Sequence, residues 1–122
     1  MAVENLPRTC IGRDCHDMKA ILDAVPKAYA CFDCNHSLKD SNVDLIKTMG
    51  SRIIATHVSD YDFINERHWF PGKGKNDWEG IMSALEEVDY CGTWNYEIGQ
   101  SGTYVAEVFK SNHNDLLNGK IR

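Results

Sequence analysis

Two rhythms of apolar residues alternate along the chain: short runs rich in β-branched and aromatic residues, and longer stretches with an apolar residue every third or fourth position. Residues 1–5 (MAVEN) read as a short strand, and Leu6 to Arg13, with its proline and glycine, as the loop after it. Asp14 is an N-cap candidate, and Met18, Ile21, Leu22 and Val25 fall at i, i+3, i+4 and i+7, which predicts a helix ending near Pro26. Ala28 to Asp33 repeats the strand signature; Cys34 to Asn42 is a polar loop, and Val43 to Met49 a short helix closed by Gly50. Arg52 to Val58 is again β-branched between turn signals and predicts a strand buried on both faces. A polar loop, Ser59 to Lys75, follows. The next helix is expected from Asn76, with Glu79 completing a capping box, and carries Trp78, Ile81, Met82, Leu85 and Val88 on one side. Thr93 to Ile98 predicts a fourth strand, and Gly99 to Gly102 leads into a last helix with Val105, Val108 and Phe109 facing inward. From Asn112 the tail is polar and is expected to fray.

Four strand–loop–helix units in succession predict an α/β fold with parallel strands, right-handed crossovers and outer helices. With 122 residues the chain is read as a single domain, 1–122. The loop Ser59 to Lys75 is the longest connection, and long ordered loops in compact domains are usually functional.

Composition narrows the function classes. A hydrophobic fraction of 43%, a charged fraction of 25% and three tryptophans describe a globular chain. No apolar run approaches the roughly 20 residues that span a bilayer, and residues 1–15 lack a secretory pattern, so a cytoplasmic location with no membrane partner is expected. The net charge of −5 weighs against nucleic acid and favours small molecules and metal cations as partners. Five cysteines, Cys10, Cys15, Cys31, Cys34 and Cys91, are an odd, sparse set and read as reduced thiols. Cys31 and Cys34 form a C-x-x-C, but on a strand they point to opposite faces, which suits small buried hydrophobes better than a redox pair.

Each expected strand has an ionisable residue at or near its C-terminal end: Glu4, Asp33, His57 and Glu97. In parallel α/β folds that end of the strands is where ligands bind. Any one of these residues alone reads as a cap or a rim residue; their matching placement reads as a site. Three carboxylates and one imidazole suit a hard or borderline divalent cation, Mn²⁺, Mg²⁺ or Co²⁺, with Zn²⁺ also accommodated.

Several motifs join this set: Asp33-Cys34-Asn35-His36, Thr56-His57-Val58-Ser59-Asp60, His68-x-x-Pro71-Gly72-x-Gly74 followed by Asp77-Trp78, and Tyr96-Glu97. In this order they resemble the C-terminal half of the sugar phosphate isomerases/epimerases with a xylose-isomerase-like TIM barrel, and Val3-Glu4-Asn5 is similar to the fifth strand of that barrel. The resemblance implies that the four β/α units form half of a TIM-type barrel. It implies that Glu4, Asp33, His57 and Glu97 are the metal ligands, and that His36, His68 and Asp60 bind or support the substrate. Related ketose epimerases carry an arginine at the position of His68, which leaves the sugar and its phosphorylation open.

The implied chemistry is divalent-metal-dependent isomerisation or epimerisation of a sugar or sugar phosphate. The metal polarises a ketose carbonyl and stabilises an enediolate, while Glu4 and Glu97 act as catalytic carboxylates, one removing a proton and the other returning it. Trp69 and Phe70 read as a pin holding the loop to the barrel rim or as a wall over the sugar; Gly72 and Gly74 serve a turn or approach a phosphate. A complete (β/α)₈ barrel takes about 250 residues, so an isolated half has two open edges and is expected to form a homodimer. Two alternatives stand beside the enzyme: a non-catalytic metal- or ligand-binding half-barrel or inactive fragment, and an abasic-site endonuclease-like metalloenzyme of the same fold.

Overall fold

The computed structural model describes residues 1–99 and 104–122. Strands β1 (Ala2–Glu4), β2 (Tyr29–Asp33), β3 (Ile53–Val58) and β4 (Thr93–Tyr96) form one sheet in the order β1-β2-β3-β4, every neighbouring pair parallel. Helices α1 (Cys15–Ala24), α2 (Asn42–Met49), α3 (Trp78–Glu87) and α4 (Ala106–Leu117) alternate with the strands, and each packs on the next. The expected alternation of four β/α units is the observed fold.

The core lies between helices and sheet. On β2, Ala30 and Phe32 face the helices and are buried with Met18 of α1, Leu45 of α2 and Trp78 of α3. The intervening residues Cys31 and Asp33 point the other way, toward the concave face, because side chains alternate across a strand. Cys34 lies on the helix side, its Sγ donating to Ser59 O at 2.9 Å. The C-x-x-C pair is thus divided between the faces, as expected.

Strand β3 departs from its prediction. Ile53, Thr56 and Val58 are buried, but Ile54 is exposed and Ala55 and His57 are only half-buried. Helices cover one face only, and the sheet register slips here: Ala30 pairs with Ile53 and Cys31 with Ala55, which leaves Ile54 opposite no residue of β2. The slip turns Ala55 and His57 onto the concave face. Residue Asn76 is not the cap of α3: Asp77 is, its Oδ1 accepting from Gly80 N at 2.9 Å, while Asn76 is buried under the long loop. Strand β4 ends at Tyr96, short of the expected Ile98.

Two expectations for the C-terminal helix fail. Val105 and Val108 are exposed, and Phe109 is half-buried. The segment from Asn112 does not fray: α4 continues to Leu117, with Asn112 and Leu116, one turn apart, both buried. Asn112 is held as a polar anchor, its Nδ2 donating to Pro71 O at 3.1 Å and its Oδ1 accepting from Tyr96 Oη at 2.9 Å. A hydrogen-bonded amide at the helix–loop junction is stable where an unpaired one would be costly. The predicted lead-in Gly99 to Gly102 lies largely outside the described residues.

Candidate metal centre

The parallel register brings the four strand-end residues together. Asp33 pairs with His57 across β2 and β3, Glu4 stands at the end of β1, and Glu97 follows β4, its N–H donating to Val58 O at 3.0 Å. One ligand atom from each of Glu4, Asp33, His57 and Glu97 lies within 4.8 Å of the others. His57 Nδ1 is at the centre, 3.4 Å from Glu4 Oε1, 3.5 Å from Asp33 Oδ2 and 3.2 Å from Glu97 Oε2.

These approaches are close but are not hydrogen bonds: His57 Nδ1 and Asp33 Oδ2 are buried atoms without a hydrogen-bond partner. Such orphans are costly, and each calls for an explanation. Asp33 is wholly buried, with one oxygen accepting from Asn35 N at 2.7 Å. Burial pushes its carboxyl up to about 8; the Asn35 N–H opposes this, and Glu97 and Glu4 add to it. Without a cation, the cluster therefore retains a proton at neutral pH. Three carboxylates and an imidazole around unpaired buried atoms fit a divalent cation, whose charge would relieve their mutual repulsion.

Two further predicted residues sit beside the cluster. His36 Nδ1 is 2.9 Å from Asn5 O, 3.4 Å from Glu4 Oε1 and 3.5 Å from Asp33 Oδ2. His68, from the long loop, has Nδ1 at 3.1 Å from Glu97 O, and its ring meets that of His36 edge to face at 6.1 Å. A carbonyl oxygen only accepts, so Nδ1 carries the proton in both rings and Nε2 is the acceptor when the ring is neutral.

Asp60 has a different place from the one its motif implied. It is wholly buried in the long loop, and both oxygens are taken by the chain itself. Oδ1 accepts from Tyr61 N at 2.9 Å and Asn76 N at 3.1 Å; Oδ2 accepts from Gly72 N at 2.9 Å and Trp78 Nε1 at 3.0 Å. This carboxylate organises the loop and has no surface to offer a substrate. Gly74 is packed against it so closely that a Cβ would lie 2.3 Å from Asp60 Oδ1 and 2.4 Å from Tyr61 O. Gly72 has φ +88, so both glycines serve the turn. Phe70 stacks on Tyr96 and Tyr104 at 5.9 and 5.0 Å, pinning the loop to β4 and the region before α4. Trp69 lies under the Arg67 guanidinium at 5.7 Å.

Two asparagines, quoted in the motifs without a role of their own, align these groups. Asn5 exchanges hydrogen bonds with the Asp33 backbone, donating to its O at 2.8 Å and accepting from its N at 2.7 Å. Asn35 Oδ1 accepts from Arg67 N at 3.2 Å and His68 N at 3.4 Å, tying the end of β2 to the loop that carries His68. Their signal was a short amide one or two positions after a strand-end carboxylate.

The chain is similar to several known proteins. It is 29% identical over 69 residues to an uncharacterised protein, y4fM, of Sinorhizobium fredii (strain NBRC 101917 / NGR234), a stretch that is 55% of this chain and 22% of that one. The crystal structure of a D-tagatose 3-epimerase-like protein superposes with a TM-score of 0.72 at 20% identity, covering 99% of this chain and 49% of that chain. That of the D-allulose 3-epimerase from Methylomonas sp. in complex with D-allulose gives a TM-score of 0.70 at 22% identity, covering 89% and 38%. At such identities the likeness establishes the fold, and the chain spans at most about half the length of these proteins. The family model described as "Xylose isomerase-like TIM barrel" matches residues 1–114. With four β/α units in the observed order and that match over nearly all of its length, the chain belongs to the xylose isomerase-like TIM barrel family.

Proposed function

We propose that the chain carries the metal-binding half of a divalent-metal-dependent sugar or sugar-phosphate isomerase or epimerase. The observation that supports this most is the convergence of Glu4, Asp33, His57 and Glu97 around buried polar atoms that the fold leaves unpaired. These four residues would hold the ion. When bound, it supplies Lewis acidity to a carbonyl and its neighbouring hydroxyl, acidifying the adjacent C–H.

Glu4 and Glu97 come from opposite edges of the sheet and are the partly exposed carboxylates of the set. One takes the carbon-bound proton and the other returns it. Return to the same carbon from the other face is epimerisation; return to the neighbouring carbon is aldose–ketose isomerisation. His36 and His68 present Nε2 as acceptors for sugar hydroxyls, with each ring oriented by the backbone carbonyl at Nδ1. Mn²⁺, Mg²⁺ and Co²⁺ suit the oxygen-rich set, and the likeness to a D-allulose complex supports a sugar as the small-molecule partner. A net charge of −5 favours that partner over abasic DNA.

Among the described residues each outer strand pairs on one side only, and Tyr29 and Ile54 stand exposed. A second copy covering the open face is the arrangement that protects them. A binding module without turnover is the second reading, since the four converging residues account by themselves for holding an ion but not for turnover. Exchange of a ketose C–H with solvent deuterium, measured with and without added metal, separates the two. Exchange abolished by Glu97→Gln supports the enzyme. A folded, metal-loaded protein without exchange supports the module, and a protein that binds no divalent metal by equilibrium dialysis sinks both.

A further inference from the structure

On the concave face, Asp33 has a neighbour of a different chemical kind. Cys31 lies two residues earlier on β2 and so points to the same side, directly opposite Glu4 in the β1–β2 register. Across β3 it meets Ala55, too short to fill the space between them. The Cys31 thiol, a Glu4 carboxylate oxygen and a His57 ring nitrogen lie within 4.8 Å of one another. Glu4 and His57 belong to both sets.

The two buried thiols differ. Cys34, on the helix face, donates to Ser59 O at 2.9 Å and accepts from Ser59 N at 3.2 Å. Cys31 Sγ has no hydrogen-bond partner among the described residues. Two residues along β2, the wholly buried Asp33 carries an unpartnered Oδ2 3.5 Å from Nδ1 of His57, a residue the two sets share.

We propose that Cys31 is a metal ligand that biases this centre toward thiophilic cations: with Glu4 and His57 it forms a sulfur-containing set that Zn²⁺, Co²⁺ or Cd²⁺ engages and Mg²⁺ does not. The inference rests on the metal-centre reading above. Binding forms a metal–sulfur bond and releases the Cys31 thiol proton to the buffer. Soft thiolate donors select zinc-like ions, whereas carboxylate-only sites suit Mg²⁺ and Mn²⁺.

Titration of the metal-free protein with Co²⁺ tests this, read by near-ultraviolet thiolate-to-Co²⁺ charge transfer and by the visible d–d bands. The wild type is expected to show both. Cys31→Ser retains the d–d bands, loses the charge-transfer band and releases one proton fewer per ion. Its preference for Zn²⁺ over Mn²⁺ falls by about tenfold or more. X-ray absorption of the Zn²⁺-loaded wild type, which needs no variant, is expected to show sulfur at about 2.3 Å.

A wild type that binds Co²⁺ without charge transfer, with only light-atom neighbours around Zn²⁺, overturns the role of Cys31 and leaves the oxygen-rich centre standing. An undiminished charge-transfer band in Cys31→Ser assigns the sulfur to another cysteine and likewise overturns it. Failure of both proteins to bind any divalent ion overturns the metal centre itself.

Discussion

Two aspartates, Asp33 at the end of β2 and Asp60 in the long loop, are both wholly buried, yet their surroundings are opposite in kind. Asp60 accepts four N–H groups from its own loop and from α3. Asp33 accepts one, has a second oxygen with no partner, and lies among other carboxylates. A buried carboxylate satisfied by the chain is a structural part. One that the chain leaves unsatisfied is costly by itself and becomes favourable only with a ligand. The contrast makes Asp60 a part of the loop's own architecture and leaves Asp33 as the carboxylate open to a ligand.

The largest expected effect breaks the architectural side. Asp60→Ala strands four donors, three of them backbone N–H groups, around a vacated acceptor. It should destabilise the fold by about 3 kcal/mol or more, at the upper end for a single polar deletion. Urea unfolding measures it, and the loss should be the same with or without divalent metal. A metal-dependent loss would mean that Asp60 belongs to the centre after all.

The opposite signature is expected at Asp33. Divalent metal should raise the unfolding free energy of the wild type by about 2.7 kcal/mol when free metal is about a hundred times its dissociation constant. Asp33→Asn keeps an acceptor for Asn35 N and removes the uncompensated charge. Near pH 8 and free of metal it should be at least as stable as the wild type, while losing most of the response to metal. If Asp33→Asn costs as much as Asp60→Ala under metal-free conditions, the comparison fails.

The same pair of proteins also carries a pH-dependent effect. The Asp33 carboxyl titrates at about 8 in the metal-free folded chain, against about 3.9 for an unfolded aspartate. Between those values the folded state holds a proton that the unfolded state has lost, so stability falls as pH rises. The contribution is complete below about pH 4 and gone once pH passes about 8. The difference between wild type and Asp33→Asn isolates it from other carboxylates. A difference that stays flat from pH 4 to 8, or that rises in favour of the wild type, would contradict the assignment.

Much of this was legible in the sequence, and the failures share a cause. The β/α alternation could be read because β-branched runs and helical spacing are local signals. Glu4, Asp33, His57 and Glu97 could be read because each occupies the same place in its unit. Asp33 and Asp60, by contrast, are the same letter; only the fold reveals which one the chain satisfies. The slip at Ile54 hid the face on which Ala55 and His57 lie, since a one-residue shift reverses every side chain after it. At the C-terminal helix the pattern predicts inward valines and a frayed asparagine, yet Val105 and Val108 face solvent while Asn112 is buried. Apolar residues on a surface are common, and a polar residue can be interior when its partners come from distant segments.

Asn112 supplies the smallest test. Tyr96 Oη lies 2.9 Å from Asn112 Oδ1 and 3.3 Å from Phe109 O, while Asn112 Nδ2 reaches Pro71 O. Tyr96→Phe removes the hydroxyl but keeps the ring that stacks on Phe70, and Asn112 retains its bond to the loop. A neutral hydrogen bond of this kind contributes about 1 kcal/mol net. The variant should lose that amount in urea unfolding, without change in metal affinity, because its partners are satisfied by the chain as those of Asp60 are. A loss of metal affinity comparable to that of Asp33→Asn would instead couple the α4 anchor to the strand-end cluster. The route for such coupling exists, since Phe70 and His68 lie two residues apart on the loop, and His68 contacts Glu97 O. Unchanged affinity with a drop of about 1 kcal/mol would place that loop segment firmly on the architectural side.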